Sequence, residues 1–187
     1  MIKILRRLVK NTLCLFGLNV RCVGDPLFKG SNNTDLFIVE FPKSGITWFS
    51  TILANISLMK TNLAFSVTHF NTEQLVGDVH VSSNLETILK YPGYRIIKSH
   101  ESYRREYRHV IYLIRNPVSV MNSYYHFTVN NNRYQGSFSA FIRTTQFGIK
   151  NWIDHVSSWL DPAAPLKLHM IRYEDLIDNS DATISNL

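Results

Sequence analysis

The sequence predicts an α/β protein: a central, mostly parallel sheet with helices on its faces. Three observations carry that expectation. Short apolar runs recur at residues 36–41, 109–114 and 166–172, each bounded by turn signals. Stretches with helical spacing of apolar residues lie between them. Residues suited to anion binding and proton transfer follow directly after the strands, where open α/β sheets hold their ligands.

The elements follow in order. Residues 24–35 (GDPLFKGSNNTD) are turn-rich and lead into the first strand. A helix is predicted over 47–59, and further strands over 94–98 and 109–114. After Asn116-Pro117 a helix runs to about 129, with proline suited to its first turn. Residues 129–136 (VNNNRYQG) are a polar loop. Helical segments over 137–146 and 149–160 come next; Asp161-Pro162 stops the second, and a strand follows over 166–172. The order is β-α-β-β-α-α-α-β.

At 187 residues, 45% hydrophobic and 18% charged, the chain has the content of one domain over 1–187. That composition excludes dominant disorder, and 8 Gly and 6 Pro exclude a collagen-like or low-complexity chain. Cys14 and Cys22 make neither a disulfide framework nor, with nearby histidines, a metal cluster. No stretch approaches the roughly 20 apolar residues of a membrane span, so no transmembrane segment is expected. Residues 1–23 open with Lys3, Arg6, Arg7 and Lys10, and Ile2, Leu5, Leu8, Val9 and Leu13 fall near helical spacing. An amphipathic helix is expected there, packed on its own domain or lying on a membrane surface. The net charge of +6 suits a polyanionic ligand. The positive charges are scattered and not interleaved with aromatics, so no nucleic-acid partner is expected.

Three constellations carry chemistry. Phe41-Pro42-Lys43-Ser44-Gly45-Ile46-Thr47-Trp48 sits where the first strand hands over to a helix. Amides at a helix N-terminus favour an anion. Lys43 adds a cation, Ser44 and Thr47 add hydroxyls, and Gly45 lets the backbone approach a ligand. Lys43 precedes the only glycine, so this is not the Walker loop of kinases and GTPases. On its own the segment is equally an ordinary strand-to-helix turn. Second, Arg115 ends another strand, and Ser123 follows two helical turns later. If the two strands are neighbours, Arg115 shares the crevice with Lys43, and its guanidinium suits bidentate phosphate binding; a plain ion pair is the alternative. Third, His100 in Lys98-Ser99-His100 ends a predicted strand, placed either to take a proton from a hydroxyl or as one more structural histidine.

Together these pieces resemble the cytosolic-type sulfotransferases, which transfer a sulfuryl group from 3′-phosphoadenosine 5′-phosphosulfate (PAPS). Phe-Pro-Lys-Ser-Gly-Ile-Thr-Trp is similar to their 5′-phosphosulfate loop, Arg-Asn-Pro-x5-Ser-Tyr-Tyr-His-Phe to their 3′-phosphate segment, and Lys-Ser-His to their Lys-Thr-His. Gly148-x3-Trp152-x2-His155-Val156-x2-Trp159 and Tyr173-Glu174-Asp175-Leu176 follow in the same order. The resemblance runs from about residue 36 to the end. It implies a P-loop-NTPase-like three-layer fold and PAPS as co-substrate, with no metal. Lys43 would bind the phosphosulfate; Ser44, Gly45, Ile46 (through its backbone N–H) and Thr47 would hold the 5′-phosphate; Trp48 would stack on adenine, with Tyr173 near it. Arg115 and Ser123 would hold the 3′-phosphate. His100 would be the general base, with Lys98 lining the sulfuryl site. The helix bearing Trp152, His155 and Trp159 reads as packing.

Two departures accompany the match. Ile46 stands where the family usually has threonine, which removes one hydroxyl donor. After Tyr-Glu-Asp-Leu the sequence carries no Arg-Lys-Gly…Gly-Asp-Trp pattern, the family's C-terminal segment over the nucleotide. The resemblance thus implies a cytoplasmic sulfotransferase acting on a small-molecule or glycan acceptor; a non-catalytic nucleotide-binding remnant of the same fold is the alternative. Segments 65–81 and 129–136 would line the acceptor pocket. Phe65, Phe70, Tyr134 and Phe138 read either as an apolar acceptor site or as core lids.

Overall fold

The computed structural model describes residues 28–59, 67–68, 71–82, 85–91, 93–160 and 166–185. The expected helix over 1–23, Phe65 and Phe70 lie outside the described residues. Five strands form one sheet: β1 (Leu36–Glu40), β2 (Gly77–Asp78), β3 (Ile96–Ser99), β4 (His109–Ile114) and β5 (Lys167–Arg172), in the order β2-β3-β1-β4-β5. Every pairing is parallel. The connecting helices are α1 (Ile46–Met59), α2 (Thr72–Leu75), α3 (Pro117–Asn130), α4 (Phe138–Phe141) and α5 (Ile149–Trp159). Two more, α6 (Tyr173–Asp178) and α7 (Ser180–Ser185), follow β5. The segment predicted as a helix over 137–146 closes after one turn, with Ser137 as N-cap accepting from the Ala140 N–H. Its Phe141 instead joins Phe41, Val120 and Met121 in a separate cluster.

Burial on both faces explains the apolar runs. Ile38, Ile96, Ile111 and Leu113 point to one face and pack with Phe49, Leu53 and Ala54 of α1. Phe37, Val39, Ile97, Val110 and Tyr112 point to the other, against Val156 and Trp159 of α5. This two-residue alternation puts Glu40, Lys98, His100 and Arg115 in phase with the α1 face.

The sheet is clamped at its N-terminal edge. Arg95, just before β3, donates through Nε and Nη2 to the two carboxylate oxygens of Asp35, just before β1, at 2.8 and 2.7 Å. The same guanidinium donates to the carbonyls of Gly30 and Leu85. Both side chains are buried, so the pair is worth having only because its polar atoms are satisfied. Arg95→Ala would leave the Asp35 carboxylate buried and uncompensated. A loss of about 3–5 kcal/mol is expected, read as a lower urea midpoint with an unchanged m-value.

Candidate active site

Parallel pairing brings the carboxyl ends of β1, β3, β4 and β5 to one edge. The β1–α1 loop is the tightest piece of that edge. Lys43 is held at φ 78° and Gly45 at φ 113°, a left-handed conformation that costs a lysine free energy and is found where a backbone must present its amides. Ser44 is buried and its Oγ donates to the Phe41 carbonyl at 2.9 Å. A Cβ on Gly45 would lie 2.4 Å from the Tyr173 ring, so only glycine fits between loop and ring. The Gly45 carbonyl accepts the Phe49 N–H and starts α1.

Because β4 lies beside β1, Arg115 reaches this loop. Its Nη1 donates to the Lys43 carbonyl at 3.1 Å, and its guanidinium stacks over the Tyr173 ring at 4.3 Å. The Lys43 ammonium sits 4.5 Å over the Phe127 ring of α3. Ser123 is one helical turn before Phe127, on the same stripe of α3. Asn116 caps that helix by accepting the Val118 N–H, with Pro117 in the first turn. Trp48 is 41% exposed and meets Tyr173 edge-on at 6.1 Å. Together with Ile52, Ile56 and Ile184 it lines an open hollow of about 440 Å³.

The β1–β3 register, with Val39 opposite Ser99, carries on to place His100 beside Glu40. His100 Nδ1 lies 3.4 Å from the Glu40 carbonyl and 3.9 Å from its Oε1. Glu40 is 2% exposed, and its Oε2 accepts the Ile46 N–H at 2.7 Å. Burial pushes this carboxyl up to about 8; the N–H groups of Ile46, Ser44 and Lys43 and the Lys43 charge pull the other way. Burial also holds His100 below its ordinary value, opposed by Asp78 and the Glu40 carbonyl. A neutral imidazole with its proton on Nδ1 keeps a lone pair on Nε2, the requirement for a base. Lys98 Nζ lies 3.9 Å from Asp78 Oδ2, and His80 stacks on His100 at 6.3 Å.

Across the edge, His100 shares a cavity of about 440 Å³ with Phe41, Glu101, Arg104, Asn151 and His155. His155 is buried; its Nδ1 lies 2.9 Å from the Tyr112 hydroxyl, and its Nε2 has no hydrogen-bond partner among the described residues. Burial pushes this imidazole down to about 4.

The structure therefore joins Lys43, Gly45, Arg115 and Tyr173 by direct contact and sets Lys98 on the adjoining strand and His100 just after it. Trp48 stands at the outer rim, Ser44 and Ile46 are buried beneath the loop, and Thr47 is exposed. Tyr134 packs against Phe141 and Phe138 against Tyr125, which makes them part of an aromatic cluster. Sequence reasoning missed Glu40, Asp78, His80 and His155. An acid ending an apolar strand was a readable signal for Glu40, and a histidine at an apolar-face position of α5 was one for His155.

Residues 33–187 match the family model described as the sulfotransferase domain. Mouse sulfotransferase 1B1 is 30% identical over 171 residues, covering 82% of this chain and 56% of that protein. The dog sulfotransferase 1B1 is 27% identical over 173 residues, covering 84% and 58%. The chain thus spans little more than half the length of these relatives. Among solved structures, mouse sulfotransferase SULT7A1 complexed with PAP superimposes with a TM-score of 0.63 at 19% identity, over 90% of this chain and 62% of that one; this likeness is one of fold.

Glu40 gives the site a pH signature. Its carboxyl binds a proton more tightly folded than unfolded, so ionising it costs stability as pH rises from about 4.5 to about 8. His155 has the opposite sense: its penalty appears as pH falls from about 6.5 to about 4. Between about pH 6.5 and 8 only Glu40 acts of these two. Urea stability is expected to fall across that window in the natural protein and to stay flat in Glu40→Gln.

Proposed function

Because the chain belongs to the sulfotransferase domain family, we propose that it binds PAPS at the β1–α1 loop and transfers its sulfuryl group to an acceptor hydroxyl or amine. The observation that carries this reading is the meeting of Lys43, Arg115 and a positive-φ glycine at one sheet edge, with the His100 imidazole just past the end of the neighbouring strand.

The residues fit a doubly anionic nucleotide. Gly45 lets the loop turn closely beneath the Tyr173 ring, and Lys43 and Arg115 supply two cations. The α1 amides, Ser44, Ile46 N–H and Thr47 belong to the 5′ end; Arg115 and Ser123 belong to the 3′-phosphate. Trp48, which borders the hollow, and Tyr173, which meets it edge-on, offer aromatic faces for a purine. Bound PAPS would supply an activated sulfuryl group; this chain's residues orient it and move one proton. His100 accepts the proton of the acceptor through Nε2 as the acceptor oxygen or nitrogen bonds to sulfur. Lys43 offsets the negative charge left on the bridging phosphate oxygen as the sulfur–oxygen bond breaks. Lys98, held towards Asp78, flanks the same space. The cavity beside His100, bordered by Glu101, Arg104 and Asn151, offers polar groups to an acceptor. A cytoplasmic location and a small-molecule or glycan acceptor belong to the same reading, as does a single domain over 1–187.

Titration calorimetry with 3′,5′-adenosine bisphosphate is expected to show 1:1 binding, weakened about tenfold or more by Arg115→Ala through loss of a charged phosphate contact. Transfer of labelled sulfonate from PAPS to an acceptor panel is expected to drop by about 10²–10⁴ in His100→Ala, with bisphosphate affinity little changed. Binding without transfer by the natural protein would leave a nucleotide-binding role only; absence of both would overturn the reading.

A further inference from the structure

The Ile46 N–H belongs to the loop assigned above to the donor's 5′-phosphate, and it is already engaged. Glu40 Oε2 accepts it at 2.7 Å, from below, out of the end of β1. The Ser44 and Lys43 amides act on the same carboxyl. The acceptor of that N–H is therefore a carboxyl that is covalently part of the chain.

We propose that the Glu40 carboxyl is a resident acceptor in the phosphate cradle, so that binding the donor requires it to release the Ile46 N–H and, in the pH range where it is ionised, to take up a proton. The inference rests on the donor-binding reading of the same loop. Two like charges held by one buried set of amides do not both ionise readily, and a 5′-phosphate carries up to two. The groups facing Glu40 account for no other sink. Lys43, on the loop, supplies the opposing cation. His100, after β3, has Nδ1 3.9 Å from Oε1 and is held towards its neutral form by burial. Tyr112, on β4, is pushed up by burial and stays a neutral phenol; His155, on α5, is hydrogen-bonded to it and is pushed down. Burial raises the Glu40 carboxyl to about 8 before any ligand arrives. A phosphate beside it raises it further. The donor site therefore strengthens as pH falls through this range, and the missing hydroxyl at Ile46 leaves the contested N–H as that residue's only donor.

The test is calorimetry of 3′,5′-adenosine bisphosphate at pH 9 in two buffers of different ionisation enthalpy, with the natural protein, Glu40→Gln and Glu40→Ala. Glutamine keeps an acceptor for the Ile46 N–H without the charge; alanine empties the position, so each checks the fold of the other. The natural protein is expected to take up about one proton per ligand bound. Both variants are expected to take up none and to bind about tenfold tighter. Variants that bind no tighter, or binding by the natural protein without proton uptake, would overturn the role of Glu40 and leave the donor reading standing. Absence of binding by all three proteins would overturn both.

Discussion

The Asp35–Arg95 pair sets the register on which the site depends. It ties the residue before β1 to the residue before β3, and from that start the two strands run parallel, Leu36 beside Ile96 and Val39 beside Ser99. Four residues on, Glu40 and His100 emerge side by side. A slip of one residue would exchange the two faces of β3. Ile96 and Lys98 would swap places with Ile97 and Ser99, and the imidazole would leave the α1 side of the sheet. A buried ion pair is weak evidence for stability alone; here its geometry specifies alignment at an edge some five residues away.

The opposite edge is organised by charge within a small volume. Two cations, Lys43 and Arg115, are each laid on an aromatic ring, Phe127 and Tyr173. These contacts leave the cations close to the loop without neutralising them. The one acid inside the loop, Glu40, is kept largely uncharged by burial. The result is an excess of positive charge beside the start of a helix, an arrangement that suits an anion. Lys43 adopts a left-handed backbone to make this possible. Strain of that kind persists where neighbours over-determine it; the Arg115 hydrogen bond to the Lys43 carbonyl and the Ser44 contacts with Phe41 do so.

Much of this was legible in the sequence. β4 matched its predicted bounds of 109–114, and α1, α3 and α5 came within a residue or two, because burial on both sheet faces writes unbroken apolar runs and one-sided helices. Lys43, His100 and Arg115 were found because they follow strand ends. The rest escaped for physical reasons. β2 has two residues, too few to show a period, so Asp78 and His80 stayed hidden. The helix expected over 137–146 is a single turn, and its Phe141 is drawn into the cluster with Phe41 and Val120. Glu40 and His155 are polar groups inside apolar patterns, and only the contact of distant segments gives them a task.

Gly45 and Tyr173 lie far apart in the chain, yet the ring leaves no room for a methyl group between them. The β1–α1 loop and the start of α6 therefore behave as one mechanical part. Whatever displaces the C-terminal helices must also loosen the turn that presents the amides. Over evolutionary drift the two positions are epistatic: the glycine cannot enlarge while the ring stays.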